Sequence, residues 1–163
     1  MIAPRGAFGL AVSIAICFGA AWLGSRMTTP SIGGWHAALR KPAWTPPNWI
    51  FGPVWSVLYL SMAIAVWLVW RRLEFPGAKI ALMLFALQLL LNVCWPGFFF
   101  ALHMLGAALA EVLLLWVAIL VTAISFWPLS RAAGWLMLPY LLWVAFASAL
   151  NYSIWRLNGC AHP

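Results

Sequence analysis

Charged residues are scarce in this sequence, and acidic ones are almost absent. Of 163 residues only two are Asp or Glu, and charged residues make up 7% of the chain. Hydrophobic residues account for 66%, and the mean hydropathy is +0.99. A soluble globular domain needs a polar surface that this composition cannot supply. The chain is therefore predicted to be an integral membrane protein.

Motifs for nucleotide or metal chemistry are also missing. The sequence has no glycine-rich phosphate-binding loop and no His or Cys pairs at metal-ligand spacing. Because the three cysteines are far apart in sequence, we interpret Cys17, Cys94 and Cys160 as packing residues. We predict neither a metal site nor a cofactor.

Long apolar runs fill most of the chain. Each is close to the roughly 20 residues that a helix needs to cross the hydrocarbon core. A barrel strand would alternate, which the run "LLLWVAILVTAI" (113–124) does not. We therefore predict an all-α, multi-pass membrane protein, a five-transmembrane-helix bundle that forms a single domain over residues 1–163. The predicted spans are residues 7–24, 47–70, 79–102, 105–127 and 133–156.

The first span has two interpretations. Arg5 before an apolar run would suit a cleaved signal peptide. However, small residues recur every fourth position at Ala7, Ala11, Ala15 and Gly19, which is typical of a helix that packs closely against another helix. We therefore favour a permanent transmembrane helix.

The basic residues give a net charge of +7 but form no patch, so we predict no nucleic-acid partner. They flank the spans, as membrane proteins require. Five fall on one side of the predicted bundle and four on the other, namely Arg5, Arg71, Arg72, Lys79 and Arg131 against Arg26, Arg40, Lys41 and Arg156. This count leaves the orientation in the membrane open.

The link at residues 25–46 is the one connection long enough to form a lid or a binding surface. It leads into the proline- and tryptophan-rich stretch "KPAWTPPNWIFGPVW" (41–55). There, Thr45 followed by Pro46 predicts a helix start, with Thr45 as the N-cap residue. Trp49 by itself fits an aromatic belt at the membrane interface equally well.

Polar and aromatic residues share a helix face on three of the spans. At 100° per residue, a spacing of three or four keeps such residues within about 60° of one another. The members are Trp55, Tyr59 and Met62 in the second span, Gln88, Asn92, Trp95 and Phe99 in the third, and Trp143, Ala147 and Leu150 in the fifth. These faces are typical of a cavity for a flat ligand, although a packed core would show the same pattern.

Glu111 is the acidic residue that falls inside a predicted span. A carboxyl group at membrane depth is a functional candidate, because an unused charge there is costly. It could carry protons in a transporter, or it could form a structural hydrogen bond to a neighbouring helix. No other charged residue lies mid-span, which favours the hydrogen bond.

Three separated blocks of the sequence resemble the TspO/MBR family, the tryptophan-rich sensory and translocator proteins. The blocks are "WHAALRKPAWTPPNWIFGPVWSVLY" (35–59), "QLLLNVCWPGFFF" (88–100) and "PYLLWVAFASALNYSIWRLN" (139–158). This resemblance implies a five-helix membrane protein, commonly a homodimer, that binds porphyrins and, in animal members, cholesterol and benzodiazepine-site drugs. It also implies that the first loop caps a pocket among the helices.

The resemblance also assigns residues to this pocket. Prolines would stiffen the lid at Pro42, Pro46 and Pro47, and its aromatic surface would be Trp35, Trp44, Trp49 and Phe51. The pocket itself would comprise Trp55, Asn92, Trp95, Trp143, Ala147 and Leu150. A candidate sterol motif consists of Leu150, Tyr152 and Arg156, a pattern that a simple helix end would also produce.

Three functions follow as alternatives. The first is a receptor that binds a porphyrin as ligand rather than cofactor. The second is a light-dependent porphyrin-degrading enzyme that would use Trp55 and Trp143, and the third is a transporter of porphyrin or cholesterol. A metal-free porphyrin is favoured over haem, because none of His36, His103 and His162 lies mid-span. For the homodimer, the small residues of the first span and the pair Gly106 and Ala110 are the candidate contacts.

Overall fold

The computed structural model describes residues 6–159. The residues Arg5, Cys160 and His162, which entered the predictions above, lie outside this range. Within it the chain is helical and contains no strand. Helices are the expected result, because a chain in lipid must satisfy its backbone hydrogen bonds internally.

Six α-helices follow one another within residues 6–159. They are α1 (Ala7–Ile32), the short α2 (Trp35–Ala38), α3 (Asn48–Trp70), α4 (Ala78–Pro96), α5 (Leu105–Phe126) and α6 (Arg131–Asn158). A π-helical segment, Gly97–Ala101, continues α4. Five helices, counting α4 with its π-helical extension, are long and apolar enough to cross a membrane. The predicted five-helix membrane bundle is therefore confirmed.

The first transmembrane helix extends well beyond the predicted boundary at residue 24. It continues to Ile32, with Pro30 inside it. The polar residues in this segment predict a loop, but their hydroxyl groups find hydrogen-bond acceptors within the helix. Thr28 donates to the carbonyl of Gly24, and Thr29 donates to the carbonyl of Ser25. The loop between the first two spans is consequently shorter than 25–46 and contains the single turn of α2.

The predicted helix start at Thr45 is wrong. α3 begins at Asn48 after an extended Pro47, whose φ and ψ are −57° and 143°. The Thr45 hydroxyl does not cap α3 but donates to the carbonyl of Pro42, as does the Thr45 N–H, which closes a turn. The reason lies in the proline pair, because a residue that precedes proline avoids helical geometry and Pro46 precedes Pro47.

Neighbouring helices form a closed ring in the order α1, α3, α6, α5, α4 and back to α1. Its interior is filled by large buried side chains, among them Tyr140, Phe126 and Met62. Cys17 is fully buried and Cys94 half-buried, both as free thiols. Met62 is fully buried and does not line the cavity described below, so it belongs to the core, although it shares a helix face with Trp55 and Tyr59.

Gly134, near the start of α6, marks a point of close packing. A Cβ atom added there would lie 2.5 Å from Cε3 of Trp127. We expect Gly134→Ala to lower the free energy of unfolding by about 1–3 kcal/mol, because the indole must move out of its contact with Trp135. The control is Gly33→Ala, where an added Cβ meets no atom within 4 Å. Melting curves of the two variants in detergent test this, and equal melting temperatures would contradict the expectation.

Candidate functional site: a cavity among four helices and the first loop

A cavity of about 480 Å³ opens inside the bundle. Its walls come from α1, α3, α4 with the π-helical segment, α6 and the loop before α3. Among the described residues, α5 contributes nothing to it. Lining residues on α1 and α3 are exposed at Ser25, Thr29, Gly52 and Ser56, so the cavity opens to the outside between these two helices.

The cavity has two chemically different sides. One is aromatic and is formed by Phe51, Trp55, Trp95, Phe99 and Phe100. The other presents hydroxyl and amide groups from Ser25, Thr28, Thr29, Thr45, Asn48 and Ser56. No Lys, Arg, Asp or Glu of the described chain lines either side. The site can therefore stack a flat ring and hydrogen-bond its edge, but it offers no charge within its walls.

The end of the cavity is a buried hydrogen-bonded group that joins three helices. Tyr59 on α3 donates its hydroxyl proton to Oδ1 of Asn92 on α4, and Nδ2 of Asn92 donates to the Tyr140 hydroxyl on α6 at 2.8 Å. All three side chains are buried. Because both ends of the Asn92 amide are satisfied, a polar residue is accommodated at membrane depth.

A second polar link holds the aromatic side. The indole N–H of Trp95 donates to Oδ1 of Asn151 at 3.2 Å, and Nδ2 of Asn151 donates to the carbonyl of Leu105 at 3.0 Å. The Asn151 side chain thereby connects α4, α6 and the start of α5. It fixes the plane of Trp95, which lies 5.3 Å from Phe99 between ring centroids.

The structure brings six of the predicted site residues together in this cavity. They are Phe51, Trp55, Asn92, Trp95, Ala147 and Leu150. Four others do not line it. Trp35 stacks on His103 with centroids 4.0 Å apart, Trp44 meets Phe146 edge-on, Trp49 is 73% exposed, and Trp143 faces elsewhere.

Comparison with known proteins agrees with this architecture. The family model for the TspO/MBR family matches residues 13–156. The chain belongs to the TspO/MBR family. It is 38% identical to the tryptophan-rich protein TspO of Chlorobaculum tepidum over 91% of this chain and 95% of the relative. It is 40% identical to the human translocator protein over 95% and 90% of the two chains, and 40% identical to protein CrtK of Rhodobacter capsulatus over 82% and 84%. TspO/MBR proteins are integral multi-pass membrane proteins, as predicted for this chain.

Trp143 requires a correction within this TspO/MBR chain. It was expected to share the cavity with Trp55, but it lies in an apolar groove on the outer side of α3 and α6. Its ring contacts Phe51 and Phe146, and Phe51 separates it from the cavity. Trp143 and Ala147 lie one turn apart on α6, but the half-buried indole of Trp143 packs against the core and the groove and not into the cavity. The structure therefore does not bring Trp55 and Trp143 together in one site.

The candidate sterol motif is also divided between two surfaces. Leu150 is 8% exposed and lines the cavity, whereas Tyr152 is 46% exposed on the outer face of α6. Arg156 donates from Nη1 to the Tyr152 hydroxyl at 3.2 Å. Tyr152 and Arg156 thus pair with each other on the outside, and Leu150 does not belong to the same surface.

Glu111 has no hydrogen-bond partner within residues 6–159, so the predicted interhelical bond is wrong. Its side chain is buried, and neither carboxyl oxygen is satisfied by the protein. Gln88 on α4 is likewise buried with an unpartnered amide. Neither residue lines the cavity, so the predicted face of the third span reaches it through Asn92, Trp95 and Phe99 and not through Gln88.

Several lining residues were missed from the sequence. Ser25, Thr28 and Thr29 were assigned to a loop, although the hydroxyl-rich segment "SRMTTPS" (25–31) was a signal that could have identified a polar wall. His36 has no role in the predicted pocket, since its position outside the spans disfavours it as a haem ligand. The structure nevertheless places it in the cavity wall, within ring contact of Phe99 and Phe100.

His36 should make the stability of the protein depend on pH. Burial lowers its pKa from 6.5 to about 4, and the charge of Lys41 contributes in the same direction. The unfolded chain therefore binds more protons than the folded protein between these two pH values. Stability should be complete above pH 6.5 and should fall as the pH drops towards 4.

We expect His36→Phe, which keeps a ring against Phe99, to reduce this loss on acidification. The measurement is the melting temperature of wild type and variant from pH 7 down to about 4, the lower limit being set by the lowered pKa. Identical pH profiles for the two proteins would show that His36 does not titrate in this window.

Proposed function

We propose that this protein is a membrane receptor that binds porphyrins in the cavity, with the first loop as its cap. The observation that carries the proposal is the combination of an aromatic side and an uncharged hydroxyl and amide side in one cavity of about 480 Å³. Such a volume is within the roughly 300–1,000 Å³ of small-molecule sites. A tetrapyrrole has flat apolar faces and a polar edge, which this pair of walls would complement.

The charged groups of the ligand would lie at the loop. A porphyrin carries carboxylates, which the uncharged interior would not accept without a partner. Lys41 is close enough to His36, a lining residue, to lower its pKa through charge repulsion. The ring would therefore enter the cavity while its carboxylates remain near Lys41 and Arg40. Neutral ligands such as sterols or benzodiazepine-type drugs would compete for the apolar interior.

The receptor function is favoured over the two alternatives. A degrading enzyme was expected to use Trp55 together with Trp143, and Trp143 lies in the outer groove. A transporter was expected to use Glu111, which does not line the cavity. A receptor needs only to bind its ligand, and the aromatic and polar lining of the cavity would be enough for that.

Gly52 allows the cavity to be filled without disturbing the fold. It lines the cavity, and a Cβ added there meets no atom within 4 Å. We expect Gly52→Leu to weaken protoporphyrin binding at least tenfold, corresponding to about 1.4 kcal/mol, because the leucine occupies the space of the ring. The measurement is quenching of tryptophan fluorescence during titration in the dark.

The control is Ala149→Leu, which adds similar bulk to the exposed face of α6. Equal affinities of the two variants would reject the cavity as the binding site. A second arm follows the porphyrin absorption spectrum under illumination. Loss of the spectrum that depends on Trp55 would favour the enzyme, and flux into sealed vesicles would favour the transporter.

We also propose a homodimer with α1 in its interface. The small residues Ala7, Ala11, Ala15 and Gly19 are all exposed, so they do not pack against another helix of the same chain. Gly106, by contrast, packs internally, since an added Cβ would lie 3.3 Å from Nε1 of Trp155.

Ala15→Leu is expected to reduce cross-linked dimer in membranes several-fold, because the bulkier side chain separates the two backbones. Gly106→Leu is expected to lower the melting temperature. A fully dimeric Ala15→Leu variant would place the interface elsewhere, with the exposed face of α4 (Ile80, Met83, Leu87 and Leu90) as the next candidate.

A further inference from the structure

The first loop is fastened to the end of α6 at Arg40. The backbone N–H of Arg40 donates to Oδ1 of Asn158 at 3.0 Å, and Nδ2 of Asn158 donates to the Arg40 carbonyl at 2.9 Å. Asn158 is the last residue of α6, 118 positions away in sequence. Within residues 6–159, both side-chain hydrogen bonds that join the loop to α6 thus come from one amide.

This arrangement requires an amide side chain. The amide offers one acceptor and one donor side by side, which matches the N–H and C=O of a single extended residue. An aspartate at position 158 would keep the acceptor but lose the donor, and a leucine would lose both. The second hydrogen of Nδ2 is held by the carbonyl of Ile154 at 2.7 Å, so the amide is already oriented by its own helix.

Asn158 also lies on the same face of α6 as the cavity residues. Ala147, Leu150, Asn151 and Ile154 line the cavity, and position 158 follows Ile154 by one turn. The loop that Asn158 holds supplies His36 and Thr45 to the cavity wall. The face of α6 that lines the cavity therefore also carries, one turn further on, the residue that binds the loop.

The other contacts between loop and bundle are apolar and aromatic. Trp35 stacks on His103, Trp44 meets Phe146 with centroids 5.7 Å apart, and Leu39 packs against the buried cluster that includes Leu150 and Ile154. Apolar contacts tolerate sliding, whereas two opposed hydrogen bonds fix position and register.

We propose that Asn158 is a positioning residue that holds the first loop closed over the cavity and thereby sets the rate of ligand release. The role in ligand release rests on the proposed function, whereas the closed position of the loop does not. The two parts can be measured separately.

Limited trypsin digestion tests the loop without any ligand. Cleavage after Arg40 requires its backbone to leave Asn158, because a protease binds its substrate through those same N–H and C=O groups. In purified full-length protein in phosphatidylcholine nanodiscs, Asn158→Leu should be cleaved after Arg40 about tenfold faster than wild type, as expected for two lost hydrogen bonds. Asn158→Asp, which keeps one bond, should be intermediate.

Two controls separate local opening from general unfolding. Cleavage after Arg71 and Arg72, in the connection between α3 and α4, should be unchanged in every variant. Ser153→Ala, which removes only a bond to the carbonyl of Ala149 within α6, should match wild type after Arg40. Unchanged cleavage after Arg40 in Asn158→Leu, or an equal increase at both connections in both Asn158 variants, would overturn the proposal.

Stopped-flow release of protoporphyrin tests the consequence for the ligand. We expect release from Asn158→Leu about tenfold faster than from wild type, with a smaller change in the association rate. Faster cleavage without faster release would overturn the role of Asn158 in ligand retention. A wild-type protein that takes up no protoporphyrin would reject the proposed function, and the digestion would still decide whether Asn158 holds the loop.

Discussion

The buried amide of Asn92 is the interaction on which the site depends. An amide inside a membrane protein must find partners, because neither lipid nor apolar side chains can hydrogen-bond to it. Here Tyr59 and Tyr140 use both ends of the amide and so connect α3, α4 and α6 at one level. This connection fixes the relative position of the three helices where the cavity ends. Asn92 and Tyr59 line the cavity, while Tyr140 is completely buried behind them.

Around Asn92, different helices contribute different chemical groups to the cavity wall. α1 and the start of α3 contribute hydroxyl and amide groups, and α3, α4 and its π-helical extension contribute rings. The π-helical turn follows Pro96, and its wider geometry is closed by the Leu102 N–H donating to the Gly97 carbonyl. It carries Phe99 and Phe100 into the cavity wall. In the proposed function, a site with this distribution would select ligands by shape and by hydrogen bonding at one edge, and the loop would recognise their charge.

Membership of the TspO/MBR family and the geometry of the cavity agree for most of the pocket positions, but not for all of them. The family match covers most of the chain, and five of the six implied pocket positions meet in one cavity together with Phe51 of the implied lid. Trp143, Tyr152 and Arg156 show the limit of such a transfer. Their sequence positions match the implied motifs, but none of them lines the cavity: Trp143 lies in the groove between α3 and α6, and Tyr152 pairs with Arg156.

The sequence by itself determined the five-helix membrane fold, because the scarcity of charge and the length of the apolar runs allow no other way of satisfying the backbone. Helical spacing also placed Asn92, Trp95 and Phe99 on one face. The tertiary structure alone decided which residues of a face reach the cavity, as Trp143 and Gln88 show, since periodicity defines a face but not its neighbour. It also decided that α1 continues to Ile32, because Thr28 and Thr29 satisfy their hydroxyls on their own helix. Arg40 and Asn158 are 118 positions apart in the sequence, and no local pattern can specify a contact between residues so far apart.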